Sequence, residues 1–187
     1  MYKEDYYPIN RGFDEHMGYL QGCLSQSTHV ANCCDAPTNA TNFTDYVCPA
    51  PGPGQEDWRG YDWFNGTTPV LNDVGLSSTS MISSLAESYI AKQAANDPSS
   101  PFFLYLPFQN IHAPYDCQQE SFELFSNQSD ISDDQKVIYG YLYELDQAIG
   151  NIVATLNNNP AVAENTVIIF ASDNVSTRLV LIISFFE

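Results

Sequence analysis

The stretch FFLYLPFQNIHAPYD, Phe102 to Asp116, runs from apolar and aromatic residues into a histidine, a small residue and a proline. Its left half, with Phe103, Leu104, Tyr105 and Leu106 bounded upstream by Pro101, reads as a buried strand. The right half breaks regular structure at Pro114. A histidine delivered at the end of a buried strand stands where open α/β sheets build ligand sites. A core histidine satisfied by a backbone carbonyl gives the same local pattern, so position alone leaves both roles for His112 open.

The flanking sequence supplies the fold. From Ser78 to Asn96, Ile82, Leu85, Tyr89 and Ile90 recur at spacings of three and four, which predicts a helix ending before Pro98. The strand 102–108 follows. Ser132-Asp-Asp-Gln135 is a capping-box pattern opening a long helix. Its apolar stripe is Ile138, Tyr141, Leu142, Leu145, Ile149, Ile152 and Leu156. Asn165 to Ser172, NTVIIFAS, is a second continuous apolar strand running into Asp173 and Asn174. Helix, strand, long helix, strand is the alternation of an α/β fold, whose strands are covered on both faces by crossover helices. If the strands are parallel neighbours, His112 and Asp173-Asn174 fall on one edge of the sheet. Residues 1–75 are loop-rich, with the breaker Pro49-Ala-Pro-Gly-Pro-Gly54. Trp58, Tyr61, Trp63 and Phe64 after it read either as a lid or pocket wall, or as satellite core under a long loop.

At 187 residues, 44% hydrophobic and 13% aromatic, the chain is globular material sufficient for one domain. Six basic residues against 23 acidic ones, a formal charge of −17, argue against nucleic acid or an anionic membrane surface as partner. The apolar run Leu179 to Phe186 is too short to span a bilayer.

Sequons occur at Asn39, Asn42, Asn65, Asn127 and Asn174. The first four lie in polar, loop-like settings beside five cysteines, which favours a lysosomal or secreted, disulfide-bonded glycoprotein. Cys33 or Cys34 is placed to close on Cys48, and an odd count leaves at least one cysteine over. A zinc site built from these cysteines and His29 is the competing reading. The N-terminal MYKEDYYP has no apolar segment of a signal peptide. A secretory composition without a leader predicts an internal piece of a longer protein.

Asp173-Asn174 offers a carboxylate and an amide carbonyl, two hard oxygens suited to calcium or magnesium but too few for a site. Asp133-Asp134 falls in a first helical turn, where acids favour the N-terminal dipole. A histidine donating a proton to a leaving oxygen beside a metal-held anion indicates hydrolysis of a phosphate or sulfate ester. No nucleotide-binding loop and no serine-hydrolase elbow motif occurs.

Several segments together resemble the sulfatase family, most closely its arylsulfatase B-like branch. Arg11-Gly12-Phe13-Asp14 with Gly18-Tyr19-Leu20 and Gly22 is similar to the segment after that branch's lysine/histidine active-site stretch. Phe102 to Leu106 with Gln109-Asn-Ile-His112-Ala-Pro114 resembles the strand ending in the family's active-site histidine. Asp146-Gln-Ala-Ile-Gly150 lies in a helix like the one preceding the metal strand, and Asn165 to Asn174 resembles that strand itself. The order is kept across about residues 10–174.

The resemblance implies an alkaline-phosphatase-like (sulfatase) fold, a central sheet flanked by helices and incomplete at both ends. It implies a calcium ion with Asp173 and Asn174 among its ligands, and His112 contacting the sulfate or leaving oxygen. It also implies a formylglycine nucleophile made from cysteine in Cys-x-(Pro/Ala)-x-Arg, a motif absent here: Cys48-Pro-Ala-Pro lacks the arginine. The substrate would be an aryl or carbohydrate sulfate ester. Residues 1–174 are then a partial catalytic domain, with 1–75 the loop-rich active-site or lid region and 78–174 the α/β core. Residues 175–187 form an apolar tail unlike the family, and a glycan at Asn174 would destroy the ligand. The chain by itself is expected to be inactive. A phosphoesterase of the same superfamily and a truncated, non-catalytic glycoprotein are the alternatives.

Overall fold

A computed structural model describes residues 3–20, 22, 24–31, 60–73, 75–112 and 114–172. Two helices organise them. Helix α1, Ser78–Asn96, starts where Ser77 Oγ accepts the Ser80 N–H, and ends at Asp97 before Pro98. Helix α3, Asp133–Asn157, opens on the capping box expected from the sequence, with Ser132 and Gln135 satisfying each other's main-chain N–H groups. Between them lies the short α2, Gln119–Glu123, and after them α4, Pro160–Ala163.

Ala86 and Ile90 of α1 meet Ile152 and Leu156 of α3 and Val162 of α4 in the main core. The buried line of α3 runs through Val137, Tyr141, Glu144, Leu145, Ala148, Ile152 and Leu156. That is one residue round from the stripe read in the sequence: Leu142 is exposed and the small residue Ala148 is buried, because α1 approaches closely. Leu85 of α1 is likewise exposed.

Segments 102–108 and 166–172 lie against this helix pair in extended form, with Phe102, Leu104, Leu106, Phe108 and Ile168 turned to the core. The sequence predicts strands covered on both faces, and in this chain one face of each segment is covered. Phe103, Tyr105, Val167 and Ile169 on the other face are 67–76% exposed, and among the described residues no ladder pairs the two segments. An unbroken apolar run reports that both faces are apolar.

The ladders that are described belong to the N-terminal region and are antiparallel. Strand β1, Met17–Gly18, pairs with β4, Phe64–Asn65, which turns through Gly66 (φ +60) into β5, Thr68–Pro69. Strand β2, Val30–Ala31, pairs with β3, Gly60–Tyr61. Trp63 is fully buried and stacks on His29 with ring centroids 4.8 Å apart, so it is satellite core. No helix among the described residues is long and apolar enough to cross a membrane.

Candidate active site

His112 closes a turn at the end of the extended segment, its main-chain N–H donating to the Gln109 carbonyl at 3.0 Å. The residue is exposed, whereas the chain on either side of it is tied down by buried polar side chains. Gln109 Nε2 donates to the Leu24 carbonyl at 2.7 Å, and Ser78 Oγ donates to Gln109 Oε1 at 2.9 Å. Asn110 Nδ2 donates to the Tyr141 carbonyl of α3 at 2.8 Å, and Thr79 Oγ1 of α1 lies 2.7 Å from Asn110 Oδ1. Ile111 adopts the left-handed conformation, φ +48, a strained choice for a β-branched residue.

On the far side of His112, Asp116 Oδ2 accepts the hydroxyls of Ser25 and Ser27 at 2.6 and 2.7 Å. Gln26 links these layers and has no exposed surface. Its Oε1 accepts from Ser77 and Thr79 at 3.2 and 3.0 Å. Its Nε2 donates to the Asp116 carbonyl and, at 2.8 Å, to Glu144 Oε2. Glu144 Oε1 accepts the Gln118 N–H at 2.5 Å. Every polar atom of the Gln26 side chain is therefore used, as its complete burial requires.

Burial pushes the Glu144 carboxyl above its ordinary value, and the donors from Gln26, Gln118 and Ser121 only partly offset this. Burial also pushes the Cys117 thiol up to about 12, reinforced by Glu144 and Asp116. Cys117 is a packing residue, not a nucleophile.

The remaining candidates divide. Asn65 lies on β4 beside the hairpin turn and Asn127 in the turn after α2, and both are exposed. Asp133 and Asp134 occupy the first turn of α3, where Asp133 pairs with Lys136 at 2.9 Å. His29 is 1% exposed, with Nε2 on the Asp73 carbonyl at 3.1 Å. Burial lowers its pKa, and it serves the core beside Trp63. Asn39, Asn42, Cys33, Cys34, Cys48, Asp173, Asn174 and the tail 175–187 lie outside the described residues. Among the described residues no three His, Cys, Asp or Glu side chains converge as a metal site would need.

Gln26, Gln109, Asn110, Asp116 and Glu144 are missed when apolar periodicity is the guide. Glu144 leaves a trace, an acid in the buried line of α3 between Tyr141 and Leu145. Gln109 and Asn110 leave another, two carboxamides directly before the histidine turn.

The sulfatase family model matches residues 1–178. The chain belongs to the sulfatase family. This sulfatase chain is 30% identical to mouse arylsulfatase J over 174 residues, covering 92% of the chain and 25% of that protein. Two crystal structures of Ps i-CgsB, one in complex with k-i-k-neocarrahexaose, superimpose with TM-scores of 0.65 and 0.66. Each is 25% identical, with 92% of this chain and 34% of that one covered. The chain thus spans about a quarter of arylsulfatase J and a third of Ps i-CgsB. The fit to Ps i-CgsB, with helices packed on extended segments, agrees with a partial sulfatase fold.

Proposed function

We propose that the chain is the part of an arylsulfatase-type sulfuric ester hydrolase, of the arylsulfatase B-like branch, that carries an active-site histidine. The observation that carries this reading is the His112 turn. An exposed imidazole sits on a turn whose flanks are fastened to two helices and the N-terminal segment. Such preorganisation is what a group acting on a bound ester needs.

His112 is assigned contact with the sulfate or the leaving oxygen, to which its imidazole delivers a proton as the ester bond breaks. Asp173 and Asn174, directly beyond the extended segment 166–172, are assigned to a calcium ion. Their hard oxygens fit the ion's preference, and the six to eight oxygens calcium takes require further donors from other parts of the protein. When bound, calcium would polarise the sulfate oxygens. The nucleophile is assigned to a formylglycine outside this chain. Segment 1–174 is read as a partial catalytic domain, and the family match runs on to residue 178. The neocarrahexaose complex of Ps i-CgsB supports a carbohydrate sulfate ester as substrate, beside an aryl one. The sequons at Asn39, Asn42, Asn65 and Asn127, with cysteines 33, 34 and 48 as disulfide candidates, support a lysosomal or secreted glycoprotein.

The test uses the full-length protein with para-nitrophenyl sulfate and para-nitrophenyl phosphate. Calcium-dependent sulfate release that His112→Ala lowers by about 10²–10⁴-fold is expected. Phosphate release alone would assign a phosphoesterase of the same superfamily. Absence of both activities, and of sulfate release from a sulfated oligosaccharide, would leave a non-catalytic glycoprotein.

A further inference from the structure

The two carboxamides before His112 are both tied to distant parts of the chain. Asn110 joins the N-terminus of α1, through Thr79, to the middle of α3, through the Tyr141 carbonyl. The next residue, Ile111, is half exposed, so its left-handed backbone is not offset by full burial of its side chain. A strained peptide unit persists only where its surroundings over-determine it. Here the fixed points are Asn110 before the strain and buried Asp116 after it.

We propose that Asn110 is a positioning residue for His112. Pinned between the two helices, its carboxamide holds the Ile111 turn in the left-handed form and thereby fixes His112 relative to the helix pair. The proposal rests on the assignment of His112 to the active site. An amide that merely satisfied buried groups would contribute to stability alone. One that acts through His112 contributes to the chemical step, and its contribution disappears when the imidazole is gone.

The experiment is a double-mutant cycle in the full-length protein, with para-nitrophenyl sulfate as substrate. Asn110→Ala should lower kcat about 10- to 100-fold, the scale of a misplaced catalytic group, with KM unchanged. In the His112→Ala background the same substitution should cost nothing further. Losses that multiply across the two sites, or an Asn110→Ala enzyme with normal kcat, overturn the proposal. If Asn110→Ala does not fold, Asn110→Asp keeps an oxygen beside Thr79 and removes the donor to the Tyr141 carbonyl; it should lower kcat in the same way, and a normal kcat overturns the proposal.

Should His112→Ala prove silent, the functional reading fails, and the positioning claim is decided separately by carbon-13 labelling at histidine Cε1. The resonance assigned to His112 should be single and narrow in the native protein and broadened or split in Asn110→Ala. An unchanged line overturns the proposal.

Discussion

Two glycines of α3 should respond oppositely to the same substitution. A Cβ at Gly140 would stand 2.9 Å from Cys117 Sγ, 3.1 Å from the Ser121 carbonyl carbon and 3.2 Å from the Phe122 nitrogen. A Cβ at Gly150 meets nothing within 4 Å. Glycine to alanine inside a helix gains up to about 1 kcal/mol of intrinsic propensity. At position 150 that gain stands alone. At position 140 it meets an overpacking cost of about 1–3 kcal/mol. Two of the three contacts are main chain, and Cys117 is only 2% exposed, so the sulfur has no open side to move into. Taking about 2 kcal/mol as the overpacking cost, Gly140→Ala should lose about 1 kcal/mol net while Gly150→Ala gains about the same. At about 2–4 °C per kcal/mol for a chain of this size, the melting temperatures should differ by about 4–8 °C. Urea unfolding with unchanged slope checks that folded stability is what moved. Equal stabilisation of both variants would refute the close approach of α2 and the Cys117 segment to α3, and with it the anchoring of Gln118 on Glu144.

The remaining predictions concern the buried polar groups and the surface. Glu144→Gln should cost about 1–3 kcal/mol, because an amide NH₂ then faces Gln118 N–H or Gln26 Nε2. The raised Glu144 carboxyl stabilises the fold below its ordinary value of 4.5 and ceases to do so as pH rises through its folded value. Denaturation at a series of pH values should therefore show the stability difference between native protein and Glu144→Gln moving against the native protein from 4.5 upward. His29 has the opposite sign: its lowered pKa stabilises above its ordinary 6.5, and that contribution is lost as pH falls through the folded value. The fluorescence of Trp63, stacked on that ring, should change with a midpoint below 6.5 in a Trp58→Phe background. Expression through a secretory host should place glycans on exposed Asn65 and Asn127, seen as mass shifts removed by Asn65→Gln and Asn127→Gln.

What the sequence discloses here is what apolar spacing encodes. Helices α1 and α3 and the extended runs follow from the recurrence of Ile82, Ile90, Tyr141, Ile152 and Leu156, and the start of α3 from its capping box. The rotation of α3 about its axis is legible only to within one residue, since burial of Ala148 depends on how near α1 comes. What covers the second face of the extended runs is not legible, because apolarity on both faces does not name the neighbour. His112 was legible as a strand-end histidine, whereas its supports were not. Gln26 and Asp116 are 90 positions apart, and Gln26 and Glu144 are 118 apart. No local pattern records such a pairing.

Those separations also fix when the site comes into being. Residues 25–27 leave the ribosome long before Asp116 and Glu144, and their partners do not exist until most of the chain is made. Closing loops of that length is costly in entropy and slow, whereas α1 and α3 dock through nearer contacts. The helix pair and its Asn110 tethers should form first, and the contacts of residues 25–27 last, upon a scaffold already standing. Substitutions at Gln26 should then hasten unfolding while leaving the folding rate almost untouched.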